Sequence, residues 1–99
     1  MIELGIGMFG DLTFDTAGQK FQNTGERLQQ IVEQVKLADE IGLDLISLGE
    51  HHRPDYSIAS TEIVLAALAT VTKNIKLASG VTVLSSSDPV KVYQDYATI

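Results

Sequence analysis

Three short apolar runs begin near residues 2, 43 and 75, and the stretches after them carry apolar residues at helical spacing. The order is therefore β-α-β-α-β-α. Alternation of this kind implies parallel strands joined by right-handed crossovers, since a parallel return needs a long connection that a helix supplies. Each unit runs to about 30–40 residues, the length a βαβ motif requires. Eight such units would close a barrel of about 250 residues, and three cannot. The pattern reads as the front portion of a larger α/β fold, with its third helix unfinished at Ile99.

Ile2–Met8 is β-compatible and predicts the first strand. Residues 9–24 mix Gly, Asp, Thr, Gln and Asn with three phenylalanines and no sustained period, which predicts a long loop. Loops of that length inside a compact domain are more often functional lids than fillers. Asn23 is placed to cap a helix, with Glu26 three residues on as in a capping box. Leu28, Ile31, Val32, Val35, Ala38 and Ile41 then mark one helical face, and Gly42 stands where a C-terminal glycine stop is expected. Leu43–Leu48 is apolar on both faces, as strands of a covered parallel sheet are. Ser60 caps a second helix over 61–72 that is apolar nearly all round, so it must be buried on more than one side, and Asn74 ends it. Ile75–Leu84 predicts the third strand. Ser85–Ser87 form a turn, and Asp88-Pro89 supply a cap and a proline at the first position of a third helix.

Composition narrows the class of function. The net charge is −6 and the pI is near 4.6, with no basic stripe, so a nucleic-acid backbone would be repelled. The absence of cysteine removes disulfides and thiolate metal sites. The N-terminus carries Glu3 and no basic region leading into an apolar segment, so it does not read as a secretory signal. The longest apolar run, Ile63–Ala69, has seven residues, far short of the ~20 that a membrane helix needs. A cytoplasmic protein is the expectation.

The chemistry concentrates where the second strand ends. Gly49 is followed at once by Glu50, His51, His52 and Arg53, and Pro54 then prevents a strand or helix from continuing. In parallel α/β sheets, ligand sites form at the carboxyl ends of the strands. An imidazole there, beside a carboxylate that could orient it, is a candidate general acid/base. Neighbouring residues of an extended segment point to opposite faces, so His51 and His52 do not read as a shared metal site, and no metal is expected. Two adjacent histidines on a surface loop can also be without function. Gly5, Gly7 and Gly10 have the G-x-G-x-x-G spacing, but the next helix begins more than ten residues later. A dinucleotide fingerprint needs its last glycine to open the helix, so close packing along the first strand is the better reading. Ser85–Ser87 lack the elbow that a nucleophilic serine requires.

Three stretches together resemble the bacterial luciferase-like flavin-dependent monooxygenases: Leu-Gly-Glu-His-His-Arg-Pro-Asp-Tyr at 48–56, Ser-Gly-Val-Thr-Val-Leu-Ser-Ser-Ser-Asp-Pro-Val at 79–90, and Tyr-Gln-Asp-Tyr-Ala-Thr-Ile at 93–99. The resemblance covers essentially the whole chain. It implies a (β/α)8 barrel roughly three times this length, of which residues 1–99 are the first three βα units, truncated in the third helix. It further implies reduced FMN, or in some branches a reduced deazaflavin, held at the carboxyl ends of the strands. With dioxygen, such proteins oxidise a small organic substrate, and a flavin reductase is an expected partner. His51 matches the family's histidine near the flavin, with Glu50 as its catalytic neighbour and His52 and Arg53 supporting the loop. Met8 and Phe9 match positions that line the cavity, and Gly80, Val81 and Thr82 match the turn that lies against the flavin ring. The bond Gly80-Val81 matches a non-prolyl cis peptide. The second helix matches one used for homodimerisation. The residues that grip the flavin phosphate belong to later strands. The rival expectation is a non-enzymatic oligomeric α/β module, or an inactive truncated product.

Overall fold

The computed structural model describes residues 1–13, 17 and 22–99. Residues 14–16 and 18–21 of the predicted 9–24 loop, and with them the body of the expected lid, lie outside the described residues. Three strands, β1 (Gly5–Met8), β2 (Leu45–Leu48) and β3 (Lys76–Ser79), form a parallel sheet in the order β1-β2-β3. Helices α1 (Thr24–Glu40) and α2 (Thr61–Ala69) follow β1 and β2, and α3 (Pro89–Thr98) follows β3. The predicted α/β class and the alternation of elements are those observed.

Local chemistry explains where the elements begin and end. Asn23 Oδ1 accepts from the N–H groups of Gly25 and Glu26 at 2.8 and 3.2 Å, meeting two of the donors that a helix start leaves free. Gly42 has φ +85°, a conformation a side chain resists, and it turns the chain straight into β2. Asp88 Oδ1 accepts from Lys91 N–H at 2.9 Å, and Pro89 opens α3 as expected.

Several boundaries differ from the sequence reading. β1 starts at Gly5 rather than Ile2; at Leu4 the carbonyl still accepts from Asp44 N–H at 2.8 Å, but the N–H donates to the Asp44 carboxylate, also at 2.8 Å, rather than to backbone. α2 ends at Ala69, and Ser60 makes no side-chain cap bond. Asn74 does not stop the helix; its N–H, with those of Lys73 and Ile75, donates to the Asp39 carboxylate. β3 covers only Lys76–Ser79 of the predicted 75–84 run. The last β2–β3 bond runs from Gly80 N–H to Leu48 O at 2.6 Å, and Val83 N–H is taken by a side chain instead.

Register decides which face is core. Ile6, Ile46 and Leu77 are aligned across the sheet, and so are Met8, Leu48 and Ser79. Ile46 and Leu48 are fully buried with Ile31, Val35 and Ala38 of α1 and Leu65 and Leu68 of α2. The sequence leaves open whether Ile6 and Ile46 or their alternates form the inner side of a barrel wall, and Ile46 lies under the helices. The inner face belongs to its alternates: Gly5, Gly7, Leu45, Ser47, Lys76 and Ala78. Among the described residues, no helix is long and apolar enough to cross a membrane.

Candidate functional site

The carboxyl ends of all three strands lie at one rim, because parallel strands must all end on the same side. Met8, Leu48 and Ser79 close the ladder there, and the segments after them are fastened to one another by backbone bonds. Gly49 N–H donates to Met8 O at 2.7 Å, Ser57 N–H to Gly10 O at 2.7 Å, and Leu12 N–H to Asp55 O at 2.9 Å. The 49–58 loop closes on itself through His51 N–H to Ile58 O at 2.9 Å, and Ile58 anchors it in the core.

Within that loop His51 is packed between rings. Tyr56 stacks on it at 4.2 Å between centroids with 20° between planes, and Phe9 meets it edge-on at 5.1 Å and 77°. Tyr56 is held in turn by Arg53, whose guanidinium lies 5.6 Å from the ring centre and grips Asp55 through two bonds of 2.9 and 2.7 Å. The His51 ring is thus oriented by packing. Its Nδ1 is buried with no hydrogen-bond partner, a state that costs about 1–3 kcal/mol in an otherwise satisfied interior.

Glu50 does something other than orient His51. Its Oε1 lies 2.5 Å from His52 Nε2, and its Oε2 accepts from Val83 N–H at 3.2 Å. The side chain is only 6% exposed, whereas that of His52 is 60% exposed. The His52 hydrogen bond holds the Glu50 carboxyl below its ordinary range, with the Val83 N–H acting the same way, against burial that pushes it up. Glu50 therefore ties the segment after β2 to the segment after β3.

That second segment contains the cis peptide Gly80-Val81, at the bond the resemblance singles out. A Cβ on Gly80 would overlap the Ser47 hydroxyl on the inner face of β2, so the backbone there approaches as only glycine allows. Val81 is 70% exposed and Phe9 49%, leaving apolar surface at the rim. Thr82 turns back toward the protein, with its hydroxyl 2.9 Å from both Ser79 Oγ and Tyr96 Oη. Met8 is half-buried and packs against the core cluster. The structure thus brings Phe9, His51, Glu50 and the 80–83 turn to one rim. Sequence reasoning gave no role to Ser47, Tyr56 or Tyr96. Tyr56 had a legible signal as an aromatic ending the Arg-Pro-Asp turn; the other two depend on contacts between elements. Among the described residues, no cluster of three or more His, Asp or Glu could hold a metal ion.

Comparison with known proteins gives this arrangement its class. Residues 8–99 match the family described as luciferase-like monooxygenase, and the chain belongs to that family. Over 73 residues it is 33% identical to the oxygenase component of the flavin-dependent trigonelline monooxygenase of Acinetobacter baylyi, covering 72% of this chain and 20% of that protein. The crystal structure of apo-MsnO8 superposes with a TM-score of 0.84 at 25% identity, over 99% of this chain and 28% of the other. The oxygenating constituent of 3,6-diketocamphane monooxygenase from Pseudomonas putida, a type II Baeyer-Villiger monooxygenase in complex with FMN, has the same fold, with a TM-score of 0.78 at 24% identity over 96% of this chain and 25% of the other. The chain thus spans about a fifth of the curated relative and about a quarter of these solved chains.

Proposed function

We propose that residues 1–99 supply one wall of the flavin cavity of a flavin-dependent monooxygenase, with His51 as its general acid/base. The observation that carries the reading is the ring-clamped His51 at the carboxyl rim of the sheet, the same rim from which the turn at Gly80 leaves β3. The residues fit a flat aromatic cofactor. The inner-face layer nearer the carboxyl ends is Gly7, Ser47 and Ala78, all small, with Leu45 and Lys76 in the layer below, and Phe9 and Val81 offer apolar surface at the rim. Met8, Phe9, Gly80, Val81 and Thr82 would line the cofactor's position, and reduced FMN would supply the chemistry that activates dioxygen. A flavin, rather than a deazaflavin, agrees with the FMN complex and the flavin-dependent relative.

The part played by this chain's own residues follows from their contacts. Tyr56 and Phe9 fix the plane of the His51 ring, so that Nε2 meets a bound group without first losing rotational freedom. Holding or moving a proton at Nε2 is the step assigned to His51. Glu50 has both oxygens engaged by His52 and Val83, so we assign it as a positioning residue that fixes the two rim segments relative to one another. The substrate is a small organic molecule, and reduced flavin arrives from a reductase. The remaining walls, and the grip on the flavin phosphate, belong to further strands of a (β/α)8 barrel.

Titration of the complete protein carrying this chain with reduced FMN, under anaerobic conditions, tests the reading. Saturable one-to-one binding is expected. A protein that is folded yet binds neither reduced nor oxidised FMN would contradict it.

A further inference from the structure

The Tyr96 hydroxyl sits where three elements meet. It lies 3.1 Å from Thr61 Oγ1, at the start of α2, and 2.9 Å from Thr82 Oγ1. Thr82 Oγ1 in turn donates to Ser79 Oγ at 2.9 Å. Thr61 is fully buried, and Thr82 and Tyr96 are partly so. One donor order satisfies the whole chain: Thr61 donates to Tyr96, Tyr96 to Thr82 and Thr82 to Ser79. Each hydroxyl both gives and receives in the middle of that run, which buried hydroxyls require if they are not to lose hydrogen bonds on leaving water.

The consequence lies one residue further on. Thr82 and Val83 are the two points at which the 80–83 turn is fastened after the ladder ends at Gly80. Thr82 is fastened through Tyr96 on α3, and Val83 through Glu50 on the segment after β2. Among the described residues, the inner side of the turn has no such fastening beyond the Gly80 N–H bond to Leu48 O: Val81 is exposed and Gly80 abuts Ser47. We propose that Tyr96 is a positioning residue for the turn: through Thr82 it sets where Gly80 and Val81 stand, and hence how well the rim accepts a flavin. The flavin clause rests on the function proposed above; the positioning clause does not.

The test compares Tyr96→Phe, Thr82→Val, the double variant and Thr82→Ser in the complete protein, using two readouts. The first is amide hydrogen exchange without cofactor. Faster exchange at Val83 in Tyr96→Phe and in Thr82→Val, with β2 and α1 unchanged, is the expected result. Thr82→Ser, which keeps the hydroxyl, should exchange like the parent. The second is affinity for FMN, expected to weaken about three- to ten-fold in either single variant, the range of one lost hydrogen bond. The double variant should lose less than the sum of the two single losses, because both substitutions cut the Tyr96–Thr82 link while each also removes one other bond, to Thr61 or to Ser79. A parent that binds no FMN would sink the functional reading, and the exchange data would still decide on Tyr96. Unchanged exchange at Val83 in Tyr96→Phe, or additive losses in the double variant, would overturn the role given to Tyr96.

Discussion

Glu50 carries the clearest acid-side prediction at the scale of single residues. Its carboxyl is held below its ordinary value of 4.5, chiefly by the His52 hydrogen bond, with Val83 N–H assisting. A group whose pKa falls on folding stabilises the fold above its unfolded pKa and loses that contribution as pH falls through the folded value. The link between the two rim segments should therefore weaken as pH drops below about 4.5, and Glu50→Gln should show a shallower acid loss of thermal midpoint than the parent. Identical acid limbs would show that the contact does not persist in solution. The sequence made His51 legible as a candidate because a charged cluster follows an apolar strand and Pro54 ends it. It did not show that Glu50 turns to His52 and Val83, since the Val83 contact is set by how two separate segments meet and the His52 contact by the path of the loop. Tyr56 was in plain view, but its stacking on His51 depends on the fold of the loop.

At the scale of elements, the connections are held by a few polar clamps. Asp39, at the end of α1, accepts from the N–H groups of Lys73, Asn74 and Ile75 at 2.7–2.9 Å, and so fixes the entry to β3. The backbone N–H groups of Lys73 and Ile75 lead in lowering its pKa, so the sign is that of Glu50: stability present at neutral pH and lost in acid. Asp39→Asn should lower the thermal midpoint at pH 7 and narrow the gap to the parent as the pH falls; a constant gap would contradict the assignment. Gly80 sets a second test. A Cβ there meets the Ser47 hydroxyl, so Gly80→Ala should destabilise by about 1–3 kcal/mol in denaturant melts. Ser47→Ala should recover part of that loss; no recovery would place the strain elsewhere. Helix starts were legible because capping is local, as at Asn23 and Asp88. Strand ends were not, because β3 stops where its neighbour stops pairing, and that cannot be read from the apolar run 75–84.

At the scale of the whole molecule, two sheet edges and several apolar side chains lack cover. β1 and β3 each pair on one side only among the described residues. Ile6, Ile63, Val81 and Leu84 are 40%, 68%, 70% and 64% exposed. Open strand edges pair readily with other chains, and uncovered apolar surface forfeits about 25 cal/mol per Å². The isolated 99-residue chain should therefore self-associate at micromolar concentration in sedimentation equilibrium. A well-folded species at 10.7 kDa throughout would contradict this. The parallel pairing was legible from alternation alone, whereas the order β1-β2-β3 comes from the pairing itself. Which face of each strand is inner was not, since β2 is apolar on both sides and only the placement of α1 and α2 decides it.

The role proposed for His51, moving a proton at the rim of a flavin cavity, is decided by one variant. In the complete protein, His51→Ala should lower oxygen-dependent turnover by about 10²–10⁴, the usual contribution of a general acid/base. Affinity for reduced FMN should stay within a few-fold of the parent, because His51 is held by Tyr56, Phe9 and its own backbone rather than serving as a main anchor. Turnover within a factor of about two of the parent would contradict the account.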